Sequence, residues 1–222
     1  MVKDIITDLD ALSQRSDEFN LKKKGTEVRE LIVNLKDTVR EHNLTSLSGI
    51  QIGSPLRVLV INFNGEIRSF CNPIITAQKG IKLSREKCAS IPNKEYLTTR
   101  YSDLGVAYLT PLGEPRSTRL VGVAAEVFQH ALDHLDGLLI SDFGLEIDAD
   151  FDAATEEERE EVIKAYLDSL DIKVKELKKE IEEDKDLRDL DNAIELMEAV
   201  QKGEIELVNK DEFESEKDKW II

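Results

Sequence analysis

After the loop-like run Lys22-Lys23-Lys24-Gly25, the apolar positions Val28, Leu31, Ile32, Leu35 and Val39 recur at intervals of three and four. That spacing puts them on one face of a helix, and the whole stretch from Met1 to Asn43 reads as mainly helical. Leu44 to Gly53 is rich in small residues and reads as a loop. The period then changes, and the β-branched run Arg57–Asn62 predicts a buried strand. Asn64-Gly65 is a hairpin signal leading into a second strand, Ile67–Phe70, and Asn72-Pro73 opens a short extended piece through Ile75. Ser84–Pro92 is polar and turn-containing. Tyr96–Thr99 is strand-like, and Leu104–Tyr108 and Ser117–Leu120 predict strands on either side of Pro111-Leu112-Gly113-Glu114-Pro115, a hairpin-type connection. A helix from Glu126 to Asp136, ended by Gly137, follows directly. Residues 1–150 therefore read as one α+β domain, a helix laid on a small antiparallel or mixed sheet.

A second pattern occupies residues 151–222. Thr155-Glu156-Glu157-Glu158 is a capping box, with three acids at the positive end of the helix it opens. Ile163, Leu167, Leu170, Val174, Leu177 and Ile181 alternate spacings of four and three, the seam of a coiled coil or helical hairpin. The register breaks at Glu182–Asp186. Leu187, Leu190, Ile194 and Met197 resume it up to Gly203, which predicts a second, antiparallel helix.

Charge supports the same division. Residues 1–150 carry 21 acids and 18 bases, a net of −3, whereas residues 151–222 carry 25 acids and 12 bases, a net of −13. A total of −16 argues against nucleic-acid binding, which needs clustered Lys and Arg. No apolar run is long enough for a membrane span, and two cysteines cannot make a disulfide framework. The expectation is a reducing, cytoplasmic setting, or a virion if the chain is virus-encoded. The acidic tail, residues 155–203, is expected to mediate homo-oligomerisation or docking into a larger protein assembly, because an isolated hairpin of this charge buries little area and repels itself.

The candidate chemistry lies on the Glu126–Asp136 helix. His130 and His134 are four residues apart, so both imidazoles can reach one divalent metal. In H-E-x-x-H sites the acid after the first histidine serves as general base, and here that position is Ala131. Taken alone, the pair fits either a metal site or a polar helix face, and Cys88 fits either a ligand or a small buried apolar residue.

Three segments together resemble the peptide deformylase family over about residues 1–145. Its small-residue loop ending in A-x-Q is similar to Ser46-Leu47-Ser48-Gly49-Ile50-Gln51. Its E-G-C-L-S motif is similar to Glu86-Lys87-Cys88-Ala89-Ser90, and its Q-H-E-x-D-H-L-D-G motif to Gln129–Gly137. The resemblance implies an α+β fold and one mononuclear site, Fe(II) or Zn, held by Cys88, His130 and His134. It implies that Gln51 and the backbone amide of Ala89 hold the formyl oxygen, that Arg100 contacts the substrate backbone, and that Asp133 acts behind the ligands or within the helix.

The departures fall on the catalytic side: Ala131 for the base, Lys87 for a glycine, Leu44 and Ser46 for glycines of the first motif, and Gly49-Ile50 for its Ala-Pro-type step. Substitutions spread over three motifs resemble drift away from turnover more than a single laboratory change at position 131. Two functions compete. One is a catalytically impaired, metal-binding deformylase-like protein reused for binding or assembly; the other is an active deformylase removing formate from N-formyl-methionyl peptides.

Overall fold

A computed structural model describes residues 1–63, 65–183 and 205–206, with side chains through residue 170. A short helix, α1 (Leu9–Leu12), precedes α2 (Leu21–Glu41), whose first turn is capped by the Asn20 side chain accepting from the Lys22 amide at 2.9 Å. Val28, Leu31, Ile32, Leu35 and Val39 form the buried face of α2, as their spacing predicts. Residues 1–7 are not helical. Their backbone is tied elsewhere, Lys3 N donating to Thr38 Oγ1 at 3.0 Å and Ile6 N to the Gln51 carbonyl at 2.9 Å. Those long-range partners replace the local bonds a helix would have made.

The sheet runs β1 (Ser46–Ser48), β2 (Val58–Phe63), β3 (Glu66–Cys88), β4 (Ile91–Leu109) and β5 (Pro115–Val121), in that spatial order with each neighbouring pair antiparallel. Phe63 pairs with Glu66, and Gly65, just before that pair's second member, supplies a φ of +84°. Asn64 itself lies outside the described residues. The sequence suggests short separate strands from Ile67 to Thr99, whereas β3 and β4 are 23 and 19 residues long. The ladder absorbs Asn72-Pro73 as a register shift between Cys71 and Ile74, which leaves the missing amide of Pro73 outside the regular pairing. Ser84–Pro92, expected as a polar turn, is the end of this long hairpin, with only Ala89 and Ser90 between the paired residues Cys88 and Ile91.

The central helix, α3 (Val123–Leu135), buries Ala124, Ala125, Phe128, Ala131, Leu132 and Leu135 against Leu59, Ile61, Phe70, Leu104 and Val106 of the sheet. Its end is set by Gly137, with φ +74°; a Cβ there would lie 2.6 Å from the Ser13 carbonyl oxygen. Beyond it come α4 (Ile140–Phe143), β6 (Leu145–Ile147) paired with β4, α5 (Ala149–Ala153), α6 (Glu156–Glu183), and β7 (Ile205–Glu206) alongside β3.

The α6 capping box forms as expected, with Thr155 N donating to Glu158 Oε2 at 2.8 Å and Glu158 N to Thr155 Oγ1 at 3.3 Å. Its first turns dock on the domain itself. Tyr166 and Leu170 are buried against Leu83, with Ile163, Leu167 and Leu145 around them. The second arm of the expected hairpin, Leu187–Met197, lies outside the described residues. No helix among the described residues is long and apolar enough to cross a membrane.

Candidate metal centre

Two elements deliver the three donor side chains. Cys88 is the last residue of β3, and His130 and His134 stand one turn apart on α3, their rings 5.1 Å between centroids and at 79°. Cys88 Sγ is 3.2 Å from His134 Nε2, and one ligand atom from each residue lies within 4.8 Å of the others. A tetrahedral ion with bonds of about 2.3 Å to sulfur and about 2.0 Å to nitrogen spaces its ligand atoms at about 3.3–3.6 Å. The donor set, and the 3.2 Å between Cys88 Sγ and His134 Nε2, suit a divalent transition metal.

Behind the donors lies a buried polar scaffold. Glu86 Oε2 is 2.8 Å from His130 Nδ1, which leaves Nε2 to face the cluster. Arg100 then holds Glu86 with two bonds, Nε to Oε1 at 2.6 Å and Nη2 to Oε2 at 3.1 Å, and gives Nη1 to Asp133 Oδ2 at 2.6 Å. Burial would raise the Glu86 pKa, but the Arg100 charge and the bonds from His130 and Arg100 hold it down at about 2. Burial works against charge on His130 as well, yet bonds to Cys88 and Glu86 lift its pKa to about 10. The Cys88 thiol, which burial alone would push up, is held at about 5 by hydrogen bonds and charge from His130 and His134. Both shifts favour the charged forms of Cys88 and His130 over their neutral ones. His134 Nδ1 is buried without a hydrogen-bond partner among the described residues.

The loop carrying Gln51 is locked onto this scaffold. Gln51 Oε1 accepts from Ser48 N at 2.9 Å and Nε2 donates to Ser90 Oγ at 3.2 Å, so the amide of Gln51 points to the hairpin end that carries Cys88 and Ala89. Ser48 Oγ donates to the Ala131 carbonyl at 2.5 Å, fixing the loop to α3 beside the histidines. Ala131 is wholly buried. Lys87 points outward, its side chain 73% exposed and 3.9 Å from Glu95, so the lysine does not enter the cluster.

Arg100 departs from its expected role. Its guanidinium is 2% exposed and every nitrogen faces Glu86 or Asp133, so it braces the donor helix and does not present itself to a substrate backbone. Pairing across the hairpin explains the difference: Arg100 sits opposite Lys82 on the strand that covers α3. Asp133, between the two histidines on α3, has its carboxylate turned to Arg100.

Gln129, part of the third motif, is structural, bonding Tyr101 N and O at 3.0 and 2.8 Å. A further buried cluster was not anticipated. Glu126, one turn before His130, accepts from Ser84 Oγ at 2.5 Å and is 2.5 Å from Lys82 Nζ. The available signal was the strand alternation Lys82, Ser84, Glu86 opposite the helical interval Glu126, His130.

A thiol and two imidazoles gathered by a hairpin end and a buried helix define an α+β domain with a candidate mononuclear metal centre. The chain belongs to the polypeptide deformylase family, whose family model matches residues 2–145. It is similar to the peptide deformylase of Syntrophomonas wolfei, 30% identical over 132 residues, 60% of this chain and 87% of that protein. The peptide deformylase of Pelotomaculum thermopropionicum is 32% identical over 128 residues, 58% of this chain and 81% of that one. Among solved structures, the peptide deformylase of Thermotoga maritima superposes with a TM-score of 0.60 at 27% identity, covering 64% of this chain and 97% of that one. A probable peptide deformylase from Synechococcus phage S-SSM7 gives 0.59 at 28% identity, covering 64% and 99%.

Proposed function

We propose that this chain is a metal-binding deformylase-fold protein with strongly reduced turnover on N-formyl-methionyl peptides. The observation that carries this reading is the buried methyl group of Ala131 between His130 and His134, where a proton-accepting side chain would be needed. Cys88, His130 and His134 would hold an Fe(II) or Zn ion. Such an ion, when bound, supplies a Lewis acid and lowers the pKa of water.

The chain's own residues account for the rest. Gln51 Nε2 and the Ala89 amide would orient the formyl oxygen and stabilise charge developing there. Proton transfer is the missing part. Glu86 cannot take it over, because a carboxylate with a pKa near 2, already engaged by Arg100 and His130, is a poor base at neutral pH. Asp133 is committed to Arg100.

Retention of the ligand cluster and Gln51 favours a second reading, an active deformylase. A turnover assay on a formyl-methionyl peptide, with the protein loaded with Fe(II) or Zn, separates the two. Negligible hydrolysis supports the first, and a turnover number in the ordinary range of ~1–10³ s⁻¹ supports the second. We assign the acidic tail beyond the docked part of α6 to binding or assembly, on the strength of its charge and apolar seam.

A further inference from the structure

The tail helix reaches the donor scaffold through two aromatic residues that no motif singles out. The Arg100 guanidinium lies over the ring of Phe143, 5.4 Å from its centroid. Phe143 is the last residue of α4, and its carbonyl accepts the Tyr166 hydroxyl of α6 at 3.1 Å. Tyr166 is buried, packed with Leu170 on Leu83 of β3, three residues before Glu86.

The segment around Phe143 has little freedom. Leu139 N donates to Asp142 Oδ2 at 2.8 Å and Gly144 N to the Ile140 carbonyl at 2.7 Å, closing α4 at both ends. A Cβ at Gly144 would lie 2.7 Å from Ile140 O and 3.2 Å from Tyr96 Cβ, so a side chain there would collide with the α4 carbonyl and crowd β4. A helix of four residues leaves its terminal carbonyls unpaired by its own backbone, and α6 supplies the donor for one of them.

Resting on the metal-binding reading above, we propose that Tyr166 and Phe143 are positioning residues for the metal centre. Tyr166 fixes Phe143, the Phe143 ring fixes the plane of Arg100, and Arg100 sets Glu86 against His130. The docked turns of α6 around Tyr166 are thereby part of the centre's scaffold. Each link is a direct contact, and a guanidinium fork that holds two carboxylates at once tolerates little rotation before one of them is released. The carboxylate that orients a ligand histidine influences metal affinity by about 10–100-fold, and a group that orients this carboxylate acts through the same term.

The test uses the full chain and Co(II) alone, read by the thiolate-to-cobalt absorbance of Cys88 and by competition with a chelator. Glu86→Gln serves as the reference, with an expected loss of about 10–100-fold in affinity. Tyr166→Phe keeps the packing and removes the donor. Phe143→Leu removes the ring face, and Phe143→Tyr keeps it.

The proposal expects Tyr166→Phe and Phe143→Leu each to weaken cobalt binding by up to about tenfold and to shift the absorbance, with Phe143→Tyr close to the parent. Cobalt binding unchanged in Tyr166→Phe and Phe143→Leu, beside a weakened Glu86→Gln, overturns the positioning role and leaves the metal reading standing. Equal losses in Phe143→Leu and Phe143→Tyr also overturn it, because packing alone would then account for the effect. A parent chain that gives no thiolate-to-cobalt absorbance removes the metal reading and the positioning role with it.

Discussion

Glu86 holds His130 by Nδ1 at 2.8 Å, and the nitrogen left for Cys88 and His134 to share a ligand with is Nε2. The choice of nitrogen follows from one carboxylate on β3, and that carboxylate is itself fixed by Arg100. Replacing Arg100 with Lys removes the fork that grips Glu86 and Asp133 together. Zinc affinity measured by chelator competition should fall by about 10–100-fold, and an unchanged affinity would show that Glu86 needs no brace.

Ala131→Glu tests the missing base directly. If proton transfer is the only deficiency, hydrolysis of a formyl-methionyl peptide should rise by about 10²–10⁴-fold over the parent chain under identical metal loading. No rise would shift the explanation to the altered loop around Leu44, Ser46 and Gly49.

Lys82 and Glu126 form a buried ion pair whose side chains are 10% and 5% exposed. Truncating one partner strands the other charge inside, so Glu126→Ala should cost about 3–5 kcal/mol in denaturant unfolding. The double change Lys82→Met with Glu126→Leu should recover most of that loss. Equal destabilisation by the single and the double change would contradict this account of the pair.

Stability of the metal-free protein should depend on pH with a plateau and two falling sides. Cys88 drops from 9.0 unfolded to about 5 folded, so its contribution is complete above 9.0 and is lost as pH falls toward 5. His130 rises from 6.5 to about 10, so its contribution is complete below 6.5 and is lost as pH rises toward 10. Between 6.5 and 9.0 the two slopes oppose each other. Below that window stability declines, because the unfolded thiol holds its proton while the folded thiolate does not, and the decline from Cys88 ends once the folded thiolate is itself protonated near 5; Glu86, held at about 2 from 4.5, adds a further decline in acid. Thiolate ultraviolet absorbance should persist at neutral pH and vanish near pH 5. A thiol that titrates near 9 would refute the ion pair.

The assembly role of the tail is checked by comparing the solution mass of the full chain with a version ending at residue 183, which retains the docked turns of α6. A larger mass for the full chain alone supports association through residues 184–222. Identical monomers, with no other protein bound, would leave those residues without that role.

Local pattern and spacing determined much of this protein. The apolar interval of α2, the Thr155 box, the stop at Gly137 and the one-turn spacing of His130 and His134 depend on residues within a turn or two of each other, and each is visible in sequence. The family followed from three motifs for the same reason. Tertiary structure decided what depends on partners far along the chain. Whether Asn72-Pro73 ends a strand or bulges within one is settled by β4, more than 30 residues later. Arg100 looked like a substrate contact until Glu86 and Asp133, 14 and 33 residues away, were seen to enclose it. Burial of charge is a property of the folded surroundings, so the Lys82–Glu126 pair and the seat of Tyr166 on Phe143 could be read only once β3, α3 and α6 were packed together.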